Sequence, residues 1–236
     1  MPNFNNKIKS VLKPYCIDYI GFADLRNYQA DLVKFGGNIV KGYASGISLG
    51  MTIPDSIVDH LPNRDDINVA CEYRIHGYDV LNTRLNIAAS TVSSFLNQNG
   101  YRTLPISAAD RTNVAEALPT VSHKMIAHIA GLGWIGKNCL LITPKHGPRL
   151  RLITILTDAP LDTVNSPLEQ KCGRCRSCVK ICPVQAIKGI NYLPGEPREV
   201  RLDFRKCANY FDKMKATQKY AVCGLCLFVC PHGTKK

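Results

Sequence analysis

The sequence predicts a mixed α/β chain in two parts, an α/β domain over residues 1–165 and a smaller, cysteine-rich α+β module over residues 166–236. Three observations support this division. Helix-like and strand-like hydrophobic patterns alternate through the first part, which is typical of α/β folds. Eight of the eleven cysteines lie in the last third of the chain. The total of 236 residues leaves room for one or two domains.

The first elements follow from hydrophobic periodicity. Apolar residues on one face predict an amphipathic helix over residues 4–15. Short apolar runs with glycines predict strands over residues 19–23 and 39–49. The longest helical pattern covers residues 78–96 and ends before an Asn-Gly pair. A strand over residues 101–106 follows directly.

The remaining elements of the first part surround a glycine-rich segment. A helix is expected over residues 120–130, after a proline, and it runs into the glycine-rich segment 131–138. Strands are expected over residues 139–143 and 150–157, because a Pro-Lys-His-Gly-Pro turn separates them. Residues 158–170 then form the expected linker into the cysteine-rich module.

The cysteines of the last third form two runs and one separate position: Cys172-x2-Cys175-x2-Cys178-x3-Cys182-Pro183, Cys207, and Cys223-x2-Cys226-x3-Cys230-Pro231. A 4Fe-4S cluster needs one thiolate for each iron, and three cysteines spaced by two residues can cover three corners. The pattern resembles that of bacterial two-cluster ferredoxins, in which the cysteine before proline binds the other cluster. The sequence therefore predicts a ferredoxin-like module with two 4Fe-4S clusters.

The same resemblance implies two interlocked ligand sets. One cluster would take Cys172, Cys175, Cys178 and Cys230. The other would take Cys182, Cys207, Cys223 and Cys226. Cys207 is irregular, because fifteen residues separate it from Cys223 where the ferredoxin pattern has two.

Zinc and disulfides are the alternative interpretations of these cysteines. Tetrahedral zinc uses four ligands. It does not account for a third cysteine that continues the same two-residue spacing, or for the Cys-Pro pairs. Disulfides need an oxidising compartment, and the first residues do not resemble a signal peptide. Cys16, Cys71 and Cys139 lie outside the pattern and are interpreted as small buried hydrophobic residues.

The chain has 30 basic and 18 acidic residues, a net charge of +12. From Pro167 onward there are 14 basic and 5 acidic residues, hence +9. Two loaded clusters would subtract about four charges, so part of the excess compensates the clusters and the rest can steer an acidic redox protein or a nucleic acid. Apolar runs stay shorter than a membrane span, and a cytoplasmic protein without membrane contact is expected.

The segment Ala130 to Ile142, AGLGWIGKNCLLI, precedes CGRCRSCVKICPVQAI and CGLCLFVCP. Together these motifs resemble the epoxyqueuosine reductase family, which reduces an epoxide on a modified tRNA base with cobalamin and two 4Fe-4S clusters. Reductive dehalogenases share this core. The resemblance implies a corrinoid-binding-like α/β domain, with the corrinoid beside a loop containing Gly131, Gly133, Trp134, Gly136 and Lys137. By spacing alone, a tight structural connection is an equal interpretation of that loop.

The chain departs from the family in two places. Ile106 stands where the family has its catalytic aspartate, so Asp110, Tyr78 and His76 are candidate proton donors. The helical-repeat extension with which family members hold tRNA is not expected here, since the chain stops six residues after Cys230.

Two histidines precede the glycine-rich segment. His123 and His128 stand five residues apart, share no helical face for a metal site, and are expected at the surface.

Three functions remain open at this point. The first is a reductase that passes electrons from a low-potential donor, such as ferredoxin or flavodoxin, through both clusters to a corrinoid. The second is an electron-transfer or activator protein that docks on an acidic partner and has no substrate site. The third is epoxyqueuosine reduction on tRNA held by the basic C-terminal region. Corrinoid binding separates the first from the second, and salt-sensitive tRNA binding identifies the third.

Overall fold

The structure, a computed structural model, describes residues 4–109, 119–163 and 166–233. The chain divides into two compact units, each discontinuous in sequence. The first unit comprises Met1–Met51, Asn82–Leu132 and Arg151–Leu168. The second comprises Thr52–Leu81, Gly133–Leu150 and Glu169–Lys236. The cysteine-rich region therefore folds together with two segments that precede it by many residues.

The described residues contain helices and strands in mixed order, which confirms a mixed α/β chain. The helices are α1 Phe4–Leu12, α2 Gln29–Gly36, α3 Asp55–Val58, α4 Ile67–Arg74, α5 Leu81–Gln98, α6 His123–Ile129, α7 Ser177–Ile181, α8 Phe204–Thr217 and α9 Leu225–Phe228. The strands are β1 Tyr19–Asp24, β2 Ser45–Thr52, β3 Thr103–Ile106, β4 Trp134–Ile135, β5 Leu141–Ile142 and β6 Leu150–Thr157. None of these helices is long and apolar enough to cross a membrane.

A four-stranded sheet in the order β1-β2-β6-β3 forms the centre of the first unit. Strands β1 and β2 pair antiparallel, as do β3 and β6, with Ile106 opposite Thr154. Apolar side chains from the strands, α2 and α6 pack into one core, including Leu25, Leu32, Ile126 and Leu156. Burial of each such side chain stabilises the fold by at most about 1.5–3 kcal/mol, because the unfolded chain already buries part of this surface.

The second unit contains the short hairpin of β4 and β5, in which Trp134 pairs with Ile142. Helices α3 and α4 come from the segment before α5, and α7, α8 and α9 come from the cysteine-rich region. Between α4 and α5 the chain forms a π-helical stretch, Ile75–Val80. Such wide turns often occur at functional sites.

Several predicted elements differ from the observed ones for local reasons. The expected helix over residues 4–15 ends at Leu12, because Pro14 starts a 3₁₀ turn. The strand predicted over residues 39–49 is wrong in its first half. Gly37 and Gly42 have positive φ values of 67° and 84°, and the strand begins only at Ser45.

The strand predicted over residues 139–143 shortens to Leu141–Ile142, since Cys139 has φ 59°. By contrast, the strand predicted over residues 150–157 matches β6. Six of the observed helices were not predicted, namely α2, α3, α4, α7, α8 and α9.

Candidate functional site

Four cysteines from both sequence runs line one cavity in the second unit. Cys172, Cys175 and Cys178 of the first run line it together with Cys230 of the second run. The other lining residues are Lys137, Asn138, Ile142, Ser177, Pro231 and His232, and the cavity offers about 20 Å³ to the centre of a water molecule. The cavity therefore brings together the residues of the first predicted ligand set.

The electrostatics of these thiols reflect their proximity. Burial, with a smaller contribution from the charges of Cys172, Cys178 and Cys175, raises the pKa of Cys230 to about 11. Burial also raises the pKa of Cys178, with Cys172 and Cys175 adding to the effect. Thiolates crowded in this way are costly without a cation or metal to neutralise them.

Cys175 is the exception in this group, because its pKa is lowered. The main cause is a hydrogen bond with the Ser177 hydroxyl, whose Oγ lies 3.5 Å from the Cys175 sulfur. The Ser177 backbone and the Lys137 charge act in the same direction. Cys175 thus ionises more readily than Cys178 and Cys230.

A second group of cysteines forms around Cys226. Burial raises the pKa of Cys226, and the charges of Cys223, Cys207, Cys178 and Cys182 add to it. Three of these four are its partners in the second predicted ligand set. Cys178 belongs to the first set, so the two groups of thiols are neighbours.

Helix α8 explains the irregular position of Cys207. Asp203 caps the helix by accepting a hydrogen bond from the Lys206 backbone N–H at 3.2 Å. Cys207 lies in the first turn, and the remaining helix and a short return segment occupy the fifteen residues before Cys223. The long spacing therefore accommodates a helix.

Arg64 lies beside the second group of thiols. Its Nη2 donates to the Tyr210 hydroxyl at 3.1 Å, and Tyr210 is on α8, one turn after Cys207. Burial raises the pKa of Cys223, whereas the Leu225 N–H and the Arg64 charge lower it. This position of Arg64 could not be predicted from the sequence, because more than 150 residues separate it from Cys223.

The glycine-rich segment holds the cysteine loops through two side chains. Lys137 Nζ donates to the carbonyl oxygens of Gly173 at 2.7 Å and of Cys175 at 3.0 Å. Asn138 Nδ2 donates to the carbonyl oxygen of Cys226 at 3.0 Å. Two adjacent residues therefore contact one cysteine loop each.

Backbone geometry explains why glycine occupies each of three positions in this segment. Gly131, φ 74°, ends α6 in a Schellman motif with Leu132 N–H donating to Ala127 O at 3.0 Å. A Cβ at Gly133 would lie 2.3 Å from Ile142 O. At Gly136 it would lie 2.4 Å from Ile142 Cδ1. Close packing of the hairpin thus requires Gly133 and Gly136.

Trp134 is buried in the second unit, with 1% of its surface exposed. Its ring meets that of His232 edge to face, with the ring centroids 4.9 Å apart. The indole Nε1 is buried and has no hydrogen-bond acceptor among the described residues. The described contacts of Trp134, like those of Lys137, lie within the cysteine-containing unit.

The two candidate proton donors that the structure describes, His76 and Tyr78, belong to the π-helical stretch. Both are half-buried. Tyr78 packs edge to face on Tyr73 at 5.6 Å, and Tyr73 lies against Gly224 in the loop between Cys223 and Cys226. The third candidate, Asp110, lies outside the described residues.

Ile106, which the sequence predicts to stand in place of the family's catalytic aspartate, ends β3 in the first unit. It lines an open cavity together with Phe35, Ile39, Leu104 and other uncharged residues. Among the described residues that line it, none carries a charge.

The expectation for the histidines of α6 is half wrong. His128 is buried, with 8% of its surface exposed, and not at the surface. His123 contacts Thr154 Oγ1 and Ser107 O, both at 3.0 Å, through its two ring nitrogens.

The three cysteines outside the runs differ in burial. Cys139 is buried as expected, Cys71 is half-buried, and Cys16 is exposed, so the interpretation of Cys16 is wrong. Within the described ranges, no three His, Cys, Asp or Glu side chains are arranged to hold a single metal ion. A four-iron cluster differs from a single ion, because each thiolate binds its own iron.

Comparison with known proteins identifies the cysteine-rich region. Residues 171–233 match the family described as "4Fe-4S double cluster binding domain". This match confirms the prediction of two 4Fe-4S clusters in this part of the chain.

The chain is similar in sequence to epoxyqueuosine reductases. The enzyme of Pseudomonas aeruginosa is 32% identical over 133 residues, which are 56% of this chain and 31% of the relative. That of Listeria monocytogenes is 32% identical over 122 residues, 48% of this chain and 30% of the relative. The predicted resemblance is confirmed. The chain spans about a third of the length of these curated relatives.

Solved structures show the same fold. A catabolic reductive dehalogenase in complex with 3-bromo-4-hydroxybenzoic acid superposes with a TM-score of 0.73 and 20% identity, covering 100% of this chain and 32% of its own. An epoxyqueuosine reductase superposes with a TM-score of 0.63 and 18% identity, covering 98% of this chain and 65% of its own.

Proposed function

We propose that this chain is an iron-sulfur oxidoreductase that passes low-potential electrons through two 4Fe-4S clusters to a bound corrinoid, for a reductive reaction like that of epoxyqueuosine reductases. The observation that carries the proposal is the cavity in which Cys172, Cys175 and Cys178 meet Cys230. A tetrahedral zinc site would not account for three cysteines spaced by two residues within the first run or for the Cys-Pro pairs. The sequence relatives are named as reductases, which supports the reaction class.

The ligand sets of the proposal are those predicted from the cysteine spacing. Thiols are the donors that 4Fe-4S clusters use, so the chemistry of both groups fits. Cys172, Cys175, Cys178 and Cys230 would hold one cluster. Cys182, Cys207, Cys223 and Cys226 would hold the other, and the neighbouring position of Cys178 and Cys226 supports electron passage between them.

Electrons would enter at the loop of the first cluster. Residues Lys171, Arg174 and Lys180 are exposed around it, and no Asp or Glu occurs between Glu169 and Glu196. Gly173 is exposed, and nothing would lie within 4 Å of a Cβ there. A thinly covered, positively charged loop suits an acidic low-potential donor such as ferredoxin or flavodoxin.

When bound, the corrinoid would supply the reductive chemistry, since such reactivity belongs to the cofactor. One solved dehalogenase of this fold is described in terms of B12-dependent dehalogenation. The role of Gly131, Gly133, Trp134, Gly136 and Lys137 beside a corrinoid stays a prediction. The protein's part would be to hold the cofactor, exclude water and donate a proton, with Tyr78 and His76 as the candidates among the described residues.

The first experiment is an anaerobic titration of the reconstituted protein with cobalamin, followed by optical spectroscopy before and after reduction. Binding with a spectral change at cobalt, together with about eight irons per chain, supports the proposal. About eight irons without corrinoid binding would indicate an electron carrier that docks on a partner. Turnover that depends on tRNA and weakens with salt would identify tRNA as the substrate, as in the solved epoxyqueuosine reductase bound to a tRNA stem loop.

The ligand sets are tested by iron analysis of two matched variants. Cys230→Ala should remove or degrade only the first cluster, leaving about four intact irons in the second. Cys71→Ala, which changes a half-buried cysteine of the same unit outside both sets, should keep about eight. Full iron content in Cys230→Ala would show that the first ligand set is wrong.

The entry surface is tested by charge reversal. Lys171→Glu with Arg174→Glu should slow cluster reduction by a reduced acidic flavodoxin and weaken its salt dependence. The control, Lys9→Glu with Lys13→Glu, changes the net charge equally on exposed residues of the first unit. Reduction by dithionite reports on cluster integrity. Equal rates with flavodoxin in both variants would place the entry site elsewhere.

A further inference from the structure

The Lys137 side chain is a buried cation in the wall of the cysteine cavity. Only 5% of the residue's surface is exposed. Its Nζ donates to Gly173 O and Cys175 O, and among the described residues no carboxylate pairs with it. A buried ammonium without an anion is unfavourable unless negative charge is placed near it.

The charge that this cavity would contain is negative. A 4Fe-4S core of charge about +2 with four thiolates carries about −2 when oxidised, and one added electron makes it about −3. A fixed positive charge in the wall stabilises the reduced state more than the oxidised state. We propose that Lys137 is the counter-cation of the cluster held by Cys172, Cys175, Cys178 and Cys230, and that it raises the reduction potential of that cluster.

The position of Lys137 distinguishes it from the other cations of the loop. Lys171 and Arg174 are exposed, so water and salt screen their charges. Lys137 is shielded from solvent and held by two carbonyl groups, so its charge acts through a medium of lower dielectric constant. Its position is fixed by the tight turn after β4, where Gly136 N–H donates to Leu140 O at 2.9 Å.

The electron that Lys137 stabilises comes from the low-potential donor of the proposed function and passes on to the second cluster. The step is a one-electron reduction of the first cluster, without bond formation or proton transfer. A higher potential at the first cluster makes capture of the electron more favourable. Lys137 therefore acts as a positioning and tuning residue and does not contact substrate.

The test is a redox titration of the loaded protein, monitored by electron paramagnetic resonance. An opposite charge within about 4–6 Å shifts the equilibrium of an ionising group by about 10- to 1,000-fold. We expect Lys137→Met to decrease the reduced-to-oxidised ratio of the first cluster about tenfold at the parental midpoint, which is about 59 mV for one electron. The midpoint of the second cluster should stay unchanged.

Two control variants separate charge from structure. Lys171→Met removes an exposed cation of the same loop and should shift the midpoint of the first cluster far less than Lys137→Met. Lys137→Arg should keep the parental midpoint.

If Lys137→Met does not assemble the first cluster, Lys137→Gln and Lys137→Arg decide the question. Gln can donate to one carbonyl group but is neutral, so a loaded Lys137→Gln should show the lowered midpoint. Loss of that cluster in both neutral variants, with full loading of Lys137→Arg, also supports a required charge. An unchanged midpoint at full iron content, or cluster loss in Lys137→Arg as well, would overturn the inference.

The inference rests on the proposed clusters, and the two can fail separately. A parent protein that binds fewer than about eight irons would contradict the proposed function. A parent that binds both clusters, with no midpoint shift in Lys137→Met, would contradict only the role of Lys137.

Discussion

The ion pair of Arg149 with Asp55 and Asp59 holds two distant segments of the second unit together. Arg149 Nη1 lies 2.9 Å from Asp55 Oδ1 and 2.7 Å from Asp59 Oδ1. The Arg149 side chain is 2% exposed, whereas those of Asp55 and Asp59 are 33% and 56% exposed. Water therefore reaches the carboxylates but hardly reaches the guanidinium. The buried positive charge of Arg149 depends on the two carboxylates for its neutralisation.

The destabilising effects of removing the two carboxylates should be strongly non-additive. With Asp55→Asn or Asp59→Asn alone, the remaining carboxylate still neutralises Arg149, so each change should cost about 1 kcal/mol or less. With both changes, a buried cation loses its anions, and the cost should reach about 3–5 kcal/mol. The coupling between the two positions is then about 1–3 kcal/mol.

The rate of irreversible unfolding is the suitable measurement, because proteins with bound clusters seldom unfold reversibly. Loss of the cluster absorbance would be followed in anaerobic urea. If the ion pair is broken in the unfolding transition state, each single variant should unfold up to about 5-fold faster and the double variant about 150-fold faster or more. Asp212→Asn, from an exposed pair with Lys215 in the same unit, is the control and should change little.

The reasoning fails if the double variant unfolds at the rate given by the product of the two single effects. It also fails if Asp55→Asn alone produces the full acceleration, since the guanidinium would then depend on one carboxylate only.

Two further predictions concern single positions of the second unit. In chelator-treated protein, Cys175 should react with iodoacetamide near pH 8, because its lowered pKa leaves more thiolate, whereas Cys230, with a pKa of about 11, should react only as the pH approaches that value. Mass spectrometry of the alkylated peptides would show it, and equal rates would contradict the assigned environments. Gly133→Ala should prevent assembly of folded, cluster-loaded protein, because its Cβ would lie 2.3 Å from Ile142 O, whereas Gly77→Ala, with a nearest contact of 3.3 Å, should be tolerated. Normal iron content in Gly133→Ala would show that the hairpin can shift.

The sequence supports prediction best where a pattern is local. Strand β6 matches its predicted bounds, since β-branched and aliphatic residues fill it and turn residues precede it. Helix α8 was not predicted, although Asp203 is a good cap, because the hydrophobic content of this helix is low. The ends of other elements shifted where Pro14 or a residue with positive φ interrupted the pattern.

The grouping of four cysteines around one cavity was predictable from the sequence, whereas the residues that surround them were not. The ferredoxin-like spacing of the cysteines predicts that Cys230 groups with Cys172, Cys175 and Cys178, and these four residues line one cavity. The contacts of Arg64 and Arg149 could not be predicted, because they arise when residues 52–81 fold with the cysteine-rich region. No local periodicity encodes such a long-range association.

The glycine-rich segment is best explained by the cysteine loops that it contacts. Gly133 and Gly136 allow the hairpin of β4 and β5 to close tightly, and the turn that follows orients Lys137 and Asn138 toward the carbonyl groups of two different cysteine loops. A change in the hairpin would therefore disturb both groups of thiols together. The residues that resemble a corrinoid loop in sequence thus have a structural task within the cluster unit, and any contact with a corrinoid would add to that task.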